Sequence, residues 1–190
     1  MTKGVWDRVT PMANWWTFLI LAVLIVAFQF AFKHFFLQHY RIDDRQLQTF
    51  DGRTWGFAPG DVDGILAKFK QIDKLGRYAC QEATVDLIFP LVYGLAFCVA
   101  IVGLGRRLPD ARCLLVVPVL AVIGDYIENF NAMAMALMYR SADHVPKAMT
   151  YIAAIASRIK WGLTLASAVV VLVLLILWPF TRSGAHAPTA

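Results

Sequence analysis

The chain has 190 residues, of which 59% are hydrophobic and only 16% are charged. A soluble domain normally carries about 25% charged residues, so this composition argues against an ordinary soluble fold and predicts a single polytopic membrane domain over residues 1–190. The net charge of +5 does not predict a nucleic-acid partner. Most basic residues lie in short loops between apolar runs, where membrane topology explains them.

Polar segments divide the sequence into apolar runs that are long enough to cross a bilayer as helices, which takes about 20 residues each. We predict an all-α integral membrane four-helix bundle, with spans at about 15–37, 84–105, 113–139 and 155–179. The short basic loop from Arg106 to Arg112 is typical of a cytoplasmic loop. Together with Lys3, Arg8 and Arg182, this loop predicts a membrane protein with both termini in the cytoplasm.

The polar segment at 38–83 is then extracytoplasmic. Within it, Ile65, Phe69 and Ile72 recur at helical spacing after Asp61, a residue type that often begins helices. We therefore predict an amphipathic helix from Asp61 to Leu75 that lies along the outer membrane surface or caps the bundle. Gly76 is expected to end or bend it.

The third span contains the most informative stretch, Gly124 to Asn131. Asp125, Glu128 and Asn129 share one helix face, and they lie far from either end of the apolar run. Ionisable side chains at membrane depth are costly and rare, and they mark a functional site or a structural ion pair. This face is therefore expected to point towards the other helices.

Polar groups on all four spans fall at overlapping depth in the outer half of the membrane, at a rise of about 1.5 Å per residue. We predict that they form one polar pocket, open towards the exterior, in which three acids balance three bases. The candidate binding residues are Gln29, Lys33, Asp86, Tyr93, Asp125, Glu128, Asn129, Asn131, Arg158, Lys160 and Trp161. An equally open alternative is that buried ion pairs and amides only fix the helix register.

The histidines, cysteines and glycines predict no further chemistry. His34, His39 and His144 lie at or near the outer surface without the spacing of a metal or haem site, so no metal is expected. The cysteines have neither metal-like spacing nor the pattern of a disulfide framework. Phosphate-binding loops and nucleophile motifs are absent from the sequence, and it identifies no cofactor.

Three stretches together resemble a group of uncharacterised four-span bacterial membrane proteins. They are Asp86–Gly94 in the second span, Asp125–Asn129 in the third and Lys160–Trp161 in the fourth. The chain is also, more distantly, similar to membrane isomerases of the emopamil-binding-protein type, which are small helical bundles with acidic and amide residues in an intramembrane pocket. The second resemblance implies proton transfer on a lipid-like substrate.

Two functions follow as hypotheses. In the first, the pocket binds a lipophilic or amphiphilic molecule, or the protein is an accessory subunit of a larger membrane complex or homo-oligomer in the lipid bilayer. In the second, the chain is an intramembrane enzyme in which Asp125 or Glu128 exchanges protons while Lys160 or Arg158 holds charge. A proton-coupled transporter is disfavoured, because the sequence has no inverted repeat and the inner halves of the spans are apolar.

Overall fold

Helices make up most of the chain, in the order that the apolar runs predict. The computed structural model describes residues 2–43, 45–50, 52–53, 55–108 and 110–183. The α-helices are α1 (Thr2–Val9), α2 (Trp15–Phe35), α3 (Val62–Gln71), α4 (Leu75–Glu82), α5 (Val85–Gly105), α6 (Val116–Ala142) and α7 (Lys147–Ser183). Between α2 and α3, β1 (Arg41–Ile42) pairs antiparallel with β2 (Arg45–Gln46). The predicted all-α bundle is confirmed.

Within the described residues, four helical stretches are long and apolar enough to cross a membrane. They are Trp15–His39, Leu75–Gly105, Ala111–Ala142 and Lys147–Pro179. Their number and order match the predicted spans, so length and composition support a membrane protein.

The third and fourth spans begin at positions that differ from the prediction. A 3-10 turn at Ala111–Leu115 precedes α6. The α7 helix starts at Lys147, because the carbonyl of Pro146 already accepts hydrogen bonds from the amides of Met149 and Thr150. With 37 residues, α7 is much longer than a straight crossing of about 20 residues requires.

The most extensive helix pairing is between α6 and α7. A Cβ atom added at Gly124 would lie 3.5 Å from the backbone nitrogen of Lys160 and 3.6 Å from the carbonyl oxygen of Ala156. Small residues such as Ala132 and Ala153 are also fully buried on these helices. Small side chains let helix backbones approach closely in membranes. In contrast, α2 packs at the edge of the bundle against α5, and of its 21 residues only Leu21 is buried.

The segment between α2 and α5 folds over one end of the bundle. Its buried rings are Tyr40, Phe50, Phe57, Phe69 and Tyr78, which we call the aromatic cap. These rings pack with apolar residues near the end of α6 and the beginning of α7. The other end of the bundle has a separate apolar core built from α1, α2, α5 and α7.

The amphipathic helix predicted within this segment is confirmed as α3. Phe69 is fully buried, Ile65 is 5% exposed and Ile72 is half-buried. The predicted end was wrong, because α3 stops at Gln71 and Asp73 takes a left-handed conformation with φ of +52°. Gly76 does not end the helix, since it lies inside α4.

Candidate functional site

A buried ion cluster forms where α5, α6 and α7 meet. The ammonium of Lys160 on α7 lies 3.2 Å from Asp125 Oδ1 and also forms an ion pair with Glu128 Oε2. The hydroxyl of Tyr93 on α5 donates to Asp125 Oδ2 at 2.8 Å. We call Lys160, Asp125, Glu128 and Tyr93 the Lys160 cluster. Both acids of the third span thus lie within salt-bridge distance of Lys160 on the fourth span.

The local sequence explains this geometry. Asp125 and Glu128 are three residues apart on α6 and therefore project from one face. Gly124 on the same helix brings the backbone of α7 close at Lys160, so the lysine side chain can reach both carboxylates. Glu128 is fully buried, while Asp125 and Lys160 are 5% and 6% exposed. Tyr93 lies next to Gly94, which faces Val122 of α6.

The charge balance differs from the prediction. Among the described residues, the buried charged side chains are four acids and one base. They are Glu82, Asp86, Asp125, Glu128 and Lys160. The expected match of three acids with three bases was wrong, because two of the expected bases are exposed.

A second set of hydrogen bonds connects the bundle to the aromatic cap. The Gln81 amide donates to Asp86 Oδ2 at 2.8 Å, and the Tyr40 hydroxyl donates to Gln81 Oε1 at 3.1 Å. Burial raises the pKa of Tyr40 above its ordinary value, although the positive charge of Arg77 opposes this shift. Tyr40 therefore stays protonated and can act as the donor.

Pro90 explains how Asn129 takes part in this region. Proline has no backbone N–H, so the carbonyl of Asp86, four residues earlier on α5, loses its helical donor. The side-chain amide of Asn129 donates to this carbonyl oxygen at 2.6 Å. A proline inside one helix is thus matched by an amide on its neighbour.

Four of the predicted site residues belong neither to the Lys160 cluster nor to the contacts that Asp86, Asn129 and Trp161 make beside it. Gln29 and Lys33 are exposed on α2, which contributes little buried surface to the bundle. Arg158 is also exposed, with its Cγ atom 3.1 Å from the position of a Cβ at Gly56. The half-buried Asn131 donates to the carbonyl of Ile127 in its own helix at 2.7 Å. Matching depth does not fix the direction in which a side chain projects, and for these residues the expected shared pocket was wrong.

The sequence reasoning missed Gln81 and Tyr40, because both lie in the segment that was interpreted as an extracytoplasmic connection. Gln81 is fully buried. The sequence does contain a signal for Gln81, because this amide precedes Asp86 by five residues at the start of an apolar run. Tyr40 had no comparable signal, because its contact with Gln81 spans 41 residues.

Buried polar atoms without partners occur on residues next to the cluster in sequence. Among the described residues, Asn129 Oδ1, Ser157 Oγ and Trp161 Nε1 are buried and have no hydrogen-bond partner. Asn129 follows Glu128 on α6, and Ser157 and Trp161 lie within one turn of Lys160 on α7. The ammonium of Lys160 is 5.9 Å from the centre of a Trp161 ring. Leaving such a group unsatisfied costs about 1–3 kcal/mol, so each requires an explanation.

In the part of the chain that the structure describes, no group of three or more His, Cys, Asp or Glu residues is arranged to hold a metal ion. The unpartnered atoms offer an amide oxygen, a hydroxyl and an indole N–H. This set suits hydrogen bonding to an organic group.

The fold and the site define a class of protein: an all-α chain with membrane-length helices and a buried ion cluster between three of them. Comparison with known proteins does not narrow this class, because no family model, curated protein or solved structure matches the chain. A more particular function must therefore be argued from the site itself.

Proposed function

We propose that this chain is a small integral membrane protein that binds a lipophilic or amphiphilic molecule beside the Lys160 cluster. The observation that supports this most directly is the group of unpartnered buried atoms on Asn129, Ser157 and Trp161. They belong to residues that neighbour, along α6 and α7, an ion cluster whose own charges already contact one another. A bound molecule with complementary polar atoms would offset the cost of burying them.

The chemistry of these atoms suggests what the molecule carries. Trp161 Nε1 can only donate, Asn129 Oδ1 can only accept, and the Ser157 hydroxyl can do either. A neutral oxygen-bearing group, such as a hydroxyl or a carbonyl, fits this set on the end of an apolar body. A strongly charged head fits less well, because Lys160 already pairs with Asp125 and Glu128.

Access from the side, through the lipid, suits this site better than access from the outer surface. The aromatic cap covers the end of the bundle towards which the pocket was predicted to open. Lipid-facing apolar side chains lie close to the cluster in sequence, including Ile127 on α6 and Ile159 on α7, which are 42% and 50% exposed. We propose that a lipophilic molecule approaches the cluster laterally, from the lipid-facing surface of the bundle.

The proposed setting is a bacterial inner membrane, as the resemblance to four-span bacterial proteins implies, with both termini in the cytoplasm, as the basic loop from Arg106 to Arg112 indicates. An additional role as an accessory subunit or homo-oligomer is supported by α2. Its exposed Gln29 and Lys33 place polar groups on a helix whose surface is mostly apolar. Amide side chains commonly form hydrogen bonds between membrane helices.

The binding proposal can be tested by extracting the protein in mild detergent and identifying co-purified small molecules by mass spectrometry. We expect a defined lipophilic compound with the wild type, and loss of that compound in Lys160→Met. Arg158→Gln is the matched control, since it removes a nearby positive charge that is exposed and outside the cluster. Equal retention by wild type and Lys160→Met, or only bulk lipid in both, would contradict the proposal.

A second candidate is proton transfer on a lipid-like substrate, as the more distant resemblance implies. It is favoured by the contact of two carboxylates with one ammonium. This group has a formal charge of −1, which becomes zero when it holds one proton. Asp125 or Glu128 would exchange protons with the substrate, while Lys160 holds the charge in place.

Deuterium exchange distinguishes the two candidates. The protein with its co-purified compound is incubated in D₂O, and carbon-bound deuterium in the compound is measured by mass spectrometry. An enzyme would introduce deuterium, and Glu128→Gln would abolish this. Binding alone predicts an unlabelled compound in both proteins.

A further inference from the structure

A cavity of about 260 Å³ lies at the end of the bundle opposite the aromatic cap. It is lined by Gly103, Leu104, Arg106, Arg107 and Trp178. The first four residues belong to the end of α5 and the loop that follows, and Trp178 is near the end of α7. The cavity therefore combines two guanidinium groups with an indole ring and a leucine side chain, at a depth where α5 leaves its apolar span.

Arg106 is held in place by the chain. Its Nη2 atom donates to the carbonyls of Thr10 at 3.1 Å and Ala13 at 2.7 Å. Within the described residues, these bonds use one of its three nitrogen atoms. A guanidinium has five N–H donors in a rigid fork that matches phosphate oxygens, so Arg106 has donors left for an anion.

Apolar surface continues from the cavity along the membrane-facing side of α7. Leu175 and Ile176, just before Trp178, are 49% and 58% exposed. A soluble anion would make no use of this surface, whereas the acyl chains of a phospholipid would lie against it. Tryptophan is also characteristic of the boundary between lipid headgroups and acyl chains.

We propose that this cavity binds the phosphate diester of an anionic phospholipid, with Arg106 and Arg107 contacting the phosphate and Trp178 packing at the top of the acyl chains. Basic pockets between membrane helices on the cytoplasmic side are suited to such headgroups. The site is separate from the Lys160 cluster, and it stands whether or not that cluster binds a ligand.

The test uses the full-length protein in phosphatidylcholine vesicles that contain brominated phosphatidylglycerol or brominated phosphatidylcholine. Bromine quenches nearby indole fluorescence, and subtraction of the Trp178→Phe signal isolates the Trp178 contribution. We expect stronger quenching by the anionic lipid. Arg107→Gln should reduce the preference about fivefold, which is the contribution of one basic group near an anionic surface.

Arg112→Gln is the matched control, because it removes the same charge from the same loop outside the cavity. An equal loss in Arg112→Gln and Arg107→Gln would show general surface attraction and overturn the site. Displacement of the lipid by excess inorganic phosphate would assign the cavity to a soluble phosphate instead.

A measurement on the unaltered protein does not depend on whether any variant folds. Native mass spectrometry after extraction from mixed vesicles should show phosphatidylglycerol retained in preference to phosphatidylcholine. Retention of both lipids in the proportion in which they were supplied would overturn the proposal.

Discussion

Replacing Lys160 by methionine removes the ammonium that two buried carboxylates contact. At 3.2 Å, the attraction between Lys160 and Asp125 is about 5 kcal/mol at an effective dielectric constant of about 20. Desolvation offsets part of this attraction, and breaking a buried ion pair costs about 3–5 kcal/mol in soluble proteins. We expect Lys160→Met to lower the free energy of unfolding by about 3 kcal/mol, because water defects and snorkelling relieve buried charges in membranes.

The partner variant Glu128→Gln should lower the free energy of unfolding by less than Lys160→Met does, because Lys160 keeps its contact with Asp125. In the double variant that combines Lys160→Met with Glu128→Gln, one of the two carboxylates that lose the ammonium has also been removed. The combined loss should therefore be smaller than the sum of the single losses, by about 0.5–3 kcal/mol. The free energies of unfolding are measured by circular dichroism while a denaturing detergent is titrated into mild detergent micelles.

Arg158→Gln provides the control and should change the free energy of unfolding by no more than about 0.5 kcal/mol. Strictly additive losses in the double variant would show that Lys160 and Glu128 are not energetically coupled. A loss in Lys160→Met no larger than that in Arg158→Gln would refute the reasoning about the buried charge.

Three further predictions concern other parts of the chain. Gly94→Ala should destabilise the protein by about 1–3 kcal/mol, because the new Cβ atom would lie 2.3 Å from Val122 Cγ2. Gly162→Ala is the control and should be tolerated, because a Cβ atom there has nothing within 4 Å. Equal melting temperatures of the two variants would contradict this prediction. Because burial raises the pKa of Tyr40, the folded state favours the neutral phenol, and stability should fall above pH ~10 more steeply in the wild type than in Tyr40→Phe. A cysteine at the exposed position Gly60, in a chain without native cysteines, should react with an impermeant reagent from outside; reaction only after permeabilisation would invert the topology.

The parts of the fold that the sequence predicted are those set by local pattern. Long apolar runs need backbone hydrogen bonds within each segment when they cross a membrane, so their helices could be located directly. Asp125, Glu128 and Lys160 could be predicted to lie together, because charges inside apolar runs are costly unless they form ion pairs. The structure places all three together.

The parts that could not be predicted depend on direction and on distant contacts. Gln29 lies in an apolar run like Asp125, yet it faces outward because α2 packs only at the edge of the bundle. The bond from Tyr40 to Gln81 joins residues 41 positions apart, so it depends on how the whole segment folds over the bundle. The end of α3 depends on the left-handed conformation of Asp73, whereas the sequence predicted that Gly76 would end or bend the helix.

Photocrosslinking tests the central proposal, ligand binding beside the Lys160 cluster, most directly. A benzophenone amino acid replaces Trp161, which is half-buried beside Lys160, or Ile159, which is 50% exposed on the lipid-facing side of the same helix. After irradiation in native membranes, the intact protein is weighed by mass spectrometry. The proposal predicts a single adduct of defined mass at position 161 and a mixture of bulk phospholipids at position 159. The same phospholipid mixture at both positions would contradict a specific binding site at the Lys160 cluster.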